Sequence, residues 1–186
     1  WRPVSLGLPE RFWIDRFTAS PPYLYVSADE RVFSTADKAL HWEPVSGIVP
    51  AGSVVSCLAA DARTLYAAFS RSAPDPDVSG EGRLAPVGRH RLVGLGVMRS
   101  TDRGWEPINA GLPDEPYVNC LDADGPDLYA GLMRPMESNG DAVVSMPSGR
   151  GFFYSHDGGA SWHAAASGLP ADEMVLGLAA RGGTLF

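Results

Sequence analysis

The sequence has little of what usually announces chemistry. Only two of its 186 residues are cysteine, Cys57 and Cys120, and no histidine stands near either at ligand spacing, which argues against a zinc site. No GxSxG, HExxH, phosphate-loop or EF-hand pattern occurs, and the glycines of GLGVMRS lead into an apolar strand rather than a helix. His41, His90, His156 and His163 are not paired at metal-ligand spacing. The acidic stretch DPDVSGEG is at most a weak Ca²⁺ loop, so no metal and no cofactor is expected. No segment of helical length shows three-and-four apolar spacing, and the apolar runs are strand-sized. Positive charge is in deficit: 15 Lys and Arg against 22 Asp and Glu give a net charge of −7 and exclude nucleic acid or an anionic membrane as the default partner. With 45% apolar residues the chain can nevertheless bury a substantial core.

What the sequence does have is repetition. Trp1, Trp42, Trp105 and Trp162 each open a short strand followed by a turn rich in Gly and Pro, at spacings of 41, 63 and 57 residues. Ile14, Val55, Val118 and Val175 head a second motif with the same spacings, and Leu24-Tyr25, Leu65-Tyr66, Leu128-Tyr129 and Leu185-Phe186 form a third. Units of this length predict a propeller or another β array. Each reads as four strands separated by Gly, Pro, Asp and Ser clusters: a run such as VVSCLAA, an aromatic run such as LYAAF, a run such as GFFYS, and the strand opened by Trp.

A turn with its own pattern precedes three of the tryptophans. SHDGGASW supplies Ser155, Asp157, Gly159, Ser161 and Trp162; TADKALHW supplies Thr35, Asp37 and Trp42, with Ala39 and His41 where Gly and Thr are usual; STDRGW supplies Ser100, Asp102, Gly104 and Trp105 in a shorter turn. With the repeat, these turns resemble the Asp-box, or BNR-repeat, sialidase-like β-propellers. Because the turn is copied, its aspartate is expected to organise a hairpin, accepting backbone hydrogen bonds beside a glycine and a hydroxyl. The resemblance implies that these turns lie away from a catalytic face, and that the protein is extracellular or periplasmic.

The expected fold is all-β: a β-propeller of four-stranded antiparallel blades, with about three full blades and partial blades at both ends. The units run approximately 10–48, 51–111 and 114–168, with a partial one at 171–186 and the last strand of a preceding blade at 1–5. That makes fifteen strands, opening in mid-repeat at Trp1, so a second chain or a further segment is expected to complete the ring. Cys57 and Cys120, at equivalent positions of successive units, are expected to be free buried thiols.

Two long inserts, in units two and three, separate the second and third strands and project from one face, where binding sites tend to be built. Their candidate ligand-binding residues are Arg83, Arg89, His90 and Arg91 in the first, and Arg134, Glu137, Asp141 and Arg150 in the second. The expected function is a non-catalytic scaffold presenting this face to a protein or a carbohydrate. The alternative is part of a glycoside hydrolase or sialidase-like enzyme with catalytic residues on other blades. The inserts contain no tyrosine for a sialidase nucleophile, no arginine motif of that family is seen, and Arg11 and Arg16 read equally as channel lining or surface charge. Asp15 and Asp122 are the carboxylate pair to examine for an inverting glycosidase.

Overall fold

The computed structural model describes residues 5–10, 13–28, 30–47, 49–61, 64–74, 90–134, 137–138, 143–145, 148–165 and 173–186. These residues form strands and turns without a helix, arranged in four antiparallel sheets. The first holds β1 (Ile14–Ser20), β2 (Tyr23–Ala28), β3 (Arg31–Thr35) and β4 (Glu43–Pro44), paired in that order. The second pairs β5 (Ser53–Asp61), β6 (Thr64–Pro74), β7 (His90–Thr101) and β8 (Gly104–Pro107) in the same way.

The third repeats the pattern with β9 (Val118–Asp124), β10 (Asp127–Arg134), β13 (Ser148–Ser155) and β14 (His163–Ala164). Between β10 and β13 lie β11 (Glu137–Ser138) and β12 (Val143–Ser145), which join the second sheet because Ser138 pairs with His90 on β7. β15 (Ala180–Arg181) and β16 (Thr184–Leu185) form the fourth sheet.

The sheets stack through their first strands: β5 lies against both β1 and β9, and β15 lies against β9. Alternation of side chains across each strand sends one set of apolar residues backward and the other forward. Cys57, Ala59, Tyr66, Ala68 and Val97 of the second sheet meet Val118, Leu121, Leu128, Ala130 and Trp162 of the third in one buried cluster. Leu58, Leu65, Ala67 and Phe69 on the second sheet's other face pack with Val32, Tyr25 and Val45 of the first. The second sheet is therefore dry on both faces.

The Trp and Gly motifs have a common physical cause. The Trp162 backbone N–H donates to Ala110 O at 2.8 Å, and its indole N–H donates to Ile108 O at 2.7 Å, so a buried ring keeps its polar edge satisfied. Gly111, at φ +92, lies where a Cβ would strike Trp162 O, and Gly7, at φ +97, stands in the same relation to Trp42 O. The glycine of the Gly-Leu-Pro turn thus lets one unit's connection approach the next unit's Trp backbone. Removing a ring buried like that of Trp162 costs about 3–5 kcal/mol in proteins generally.

Cys57 and Cys120 are free and buried, and repeat a single contact: Cys57 Sγ donates to Val118 O and Cys120 Sγ to Val175 O, each at 3.4 Å. Burial is the main cause pushing Cys57 up to about 12, and burial raises Cys120 as well. Arg16 holds the equivalent position in the first unit and makes the corresponding bridge, its Nε donating to Ser56 O at 2.5 Å. Arg16, exposed on β1, ties β1 to β5.

Candidate functional site

The two ends of the sheet stack differ in construction. At one end lie the hairpins after each first strand together with the three aspartate-containing turns; at the other lie the inserts and the connections between sheets.

The aspartate-containing turns are hydrogen-bonded from within. Asp157 accepts from Ser161 N (2.8 Å) and Ser161 Oγ (2.6 Å) and from Ser155 Oγ (2.7 Å), while Gly159 N donates to Ser155 Oγ at 2.9 Å. The Ser161 and Ser155 hydroxyls are the leading causes that lower the Asp157 carboxyl to about 2. Asp37 accepts from Thr35 Oγ1, Leu40 N and His41 N at 2.6, 2.9 and 3.0 Å, and the Thr35 bond leads in holding it below the ordinary carboxylate range. The middle turn departs from the pattern. With only two residues between Thr101 and Gly104, its side-chain bonds come from Thr101, whose Oγ1 donates to Gly104 O at 2.9 Å and accepts from Arg103 N at 3.3 Å. Ser100 pairs with Trp105 across that hairpin, and Asp102 sits at its tip.

At the insert end the structure brings Arg91 and Arg150 together. Arg91, at the start of β7, forms a fork on Glu115, with Nη1 to Oε2 at 2.5 Å and Nη2 to Oε1 at 2.8 Å. Arg150 on β13 donates Nη1 to Asp114 O at 2.8 Å and to Glu115 O at 3.4 Å. The hydrogen bond from Arg91 is the main cause lowering the Glu115 carboxyl, and the charges of Arg91, Arg150 and Arg71 act in the same direction. Glu115 holds φ +48, a left-handed conformation that costs a non-glycine residue about 1–2 kcal/mol. The connection bearing it is wedged under β7, where a Cβ on Gly94 would strike Pro116 and Tyr117 backbone atoms.

Of the other expected ligand-binding residues, Arg134 is exposed at the end of β10, and His90 and Glu137 are placed by their backbones at the starts of β7 and β11. Arg83, Arg89 and Asp141 lie outside the described residues, as do Arg11 and DPDVSGEG. Asp15 is on β1 and Asp122 on β9, with β5 between those strands in the stack. Asp122 Oδ2 accepts from Ala180 N at 2.7 Å, and Asp124 Oδ2 from Gly183 N at 2.8 Å, so both carboxylates hold the fourth sheet. Among the described residues no group of three or more His, Cys, Asp or Glu side chains is placed to hold a metal. Among the described residues no helix is long and apolar enough to cross a membrane.

Sequence reasoning passed over Glu115, Asp114 and Arg71. The available signal was topological: the connection between a unit's fourth strand and the next unit's first leaves from the insert end, so PDEP at 113–116 must sit beside the inserts. A scan against protein-family models finds no match for this chain, and a search of curated proteins finds none either.

Proposed function

We propose that this chain is a non-catalytic scaffold of the Asp-box β-propeller type, whose insert end recognises a carboxylate-bearing ligand on a protein or a glycan. The arginine cluster carries this reading. In a chain of net charge −7, Arg71, Arg91 and Arg150 gather around one Glu115, with exposed Arg134 on the neighbouring strand β10. Arg91 and Glu115 satisfy each other through a fork and Arg150 donates Nη1 to the backbone of Asp114 and Glu115, so the cluster holds more cations than its one carboxylate can pair. The chain's positive charge is almost entirely arginine, with Lys38 the single lysine, and the planar guanidinium suits two-point binding of a carboxylate. Strain held at Glu115 fits a residue kept for presentation rather than for turn stability. The four-stranded repeat, the stacking through first strands and the internally bonded aspartate turns support the scaffold part of the reading. An extracellular or periplasmic location belongs to the same proposal.

Titration calorimetry with three probes tests it: an oligogalacturonate, a glutamate-rich peptide and a neutral oligosaccharide of equal length. One acidic probe is expected to bind and the neutral sugar not. Binding by Arg71→Ala and Arg150→Ala together is expected to be at least tenfold weaker at unchanged melting temperature, a loss of about 1.4 kcal/mol. Equal binding by wild type and the double variant would remove the cluster from the site. Which acidic probe binds distinguishes a glycan partner from a protein one.

A further inference from the structure

The connection that carries Glu115 has a counterpart one unit earlier. At the 63-residue spacing of the units, Pro113, Glu115 and Val118 correspond to Pro50, Gly52 and Val55. Both connections take a left-handed residue at the middle position, Gly52 at φ +67 and Glu115 at φ +48. Glycine adopts that conformation without steric cost, and a Cβ on Gly52 would meet nothing within 4 Å, so glycine there answers a demand of the backbone alone. Glutamate at the same position accepts strain that glycine avoids, and strain of this kind gathers where a side chain has a task.

The Glu115 side chain spends that strain on Arg91. Both of its carboxylate oxygens meet the two Nη atoms, the two-point geometry that a guanidinium offers to any carboxylate. The fork is open to water, with the Arg91 and Glu115 side chains 29% and 47% exposed, and a pair so exposed adds little to stability. The connection does not depend on it for its place either. Arg150 holds the Asp114 and Glu115 carbonyls, Pro116 and Tyr117 backbone atoms press against Gly94, and Tyr117 O accepts from Met133 N at 3.0 Å. All of these hold the main chain, so the Glu115 side chain is free to leave Arg91 while the connection stays where it is.

We infer that Glu115 is a built-in stand-in for the ligand's carboxylate, occupying Arg91 in the free protein and displaced from it when an acidic ligand binds. Glu115 can act in this way only if the insert end recognises an acid as proposed above, and its displacement identifies Arg91 as the guanidinium that receives that acid. Arg71 and Arg150 act on the same carboxyl position, so the place Glu115 vacates is where the positive field of the cluster is concentrated. A tethered competitor works at an effective concentration of about a millimolar or more. A lone carboxylate is therefore held off, and a ligand that brings several acids along one chain gains entry.

Titration calorimetry with oligogalacturonate and the glutamate-rich peptide tests this on wild type, Glu115→Gly, Asp114→Asn and the double variant Glu115→Gly with Arg91→Ala. Glu115→Gly copies Gly52, so the melting temperature is expected to be unchanged, while the acidic probe binds at least about tenfold more tightly. Asp114→Asn neutralises the adjacent exposed acid without vacating Arg91, and is expected to change affinity by less than about threefold. Adding Arg91→Ala to Glu115→Gly is expected to cancel the gain. Binding by Glu115→Gly that is equal to or weaker than that of wild type would overturn the stand-in and leave the recognition reading intact. So would a gain from Asp114→Asn as large as that from Glu115→Gly, since it would reflect net charge rather than a vacated seat. If neither acidic probe binds wild type or Glu115→Gly, the recognition reading falls and the stand-in falls with it.

Discussion

Asp157 receives three hydrogen bonds from its own hairpin, and all favour the ionised carboxylate. Its folded pKa is lowered to about 2, so the sign is that of a depressed acid: the stabilisation is present above the unfolded value of about 4 and fades as pH falls toward about 2. Asp157→Asn is therefore expected to melt below wild type at pH 7, with the gap closing between about pH 4 and about pH 2. Thermal melts across that range check it, and a gap that persists at the acid end would mean that the residue acts by shape rather than charge. Ligand binding at the far end of the sheets is expected to be unchanged by this substitution. Arg16 teaches a related lesson. One arginine near a strand start reads as nothing in particular, and only its register with Cys57 and Cys120 identifies it as a bridge between sheets.

At the scale of the element, the first aspartate turn shows what a degraded motif costs. Lys38 and Ala39 hold φ +61 and +67 where the third turn places Gly158 and Gly159 at +68 and +87. A side chain in that region costs about 1–2 kcal/mol and a glycine loses about 0.5–1 kcal/mol in flexibility, so Lys38→Gly, at an exposed side chain, is expected to stabilise by about 0.5–1 kcal/mol. Calorimetry would show a rise in melting temperature of about 1–4 °C, and a fall would show that the lysine contributes more than its strain. The third turn was readable because its glycines and serines keep the pattern, while the middle turn was only half readable, since its shortening hands the bonds to Thr101. The repeat also located the first strands of the first three units, because period and alternation are local properties of the chain, while of the run headed by Val175 only Ala180–Arg181 is a strand. It gave no warning that β6 and β7 run on as strands to Pro74 and from His90, or that part of the second insert pairs with β7. Such pairing depends on what one insert finds beside it, which no local pattern encodes. The candidate site was legible in the same measure: Arg91 and Arg150 by their place in the inserts, Glu115 only once the sheets were stacked.

At the scale of the molecule, the same sheet is used several times, and the differences between copies carry the individuality. The repeated joints, with their Trp, Gly and thiol contacts, make the stack; the inserts of the second and third units, unlike the short turn of the first, make one end of it distinctive. The proposed recognition of an acid rests on the arginines gathered there, and the carboxylate of Asp122 is occupied with the fourth sheet. Hydrogen exchange with and without the oligogalacturonate or glutamate-rich peptide that binds is the most direct test. Protection is expected at residues 113–117 and at the first residues of β7, with the aspartate turns unaffected. Protection centred instead on the first strands around Asp15 and Asp122 would contradict the recognition reading and favour a site along those strands.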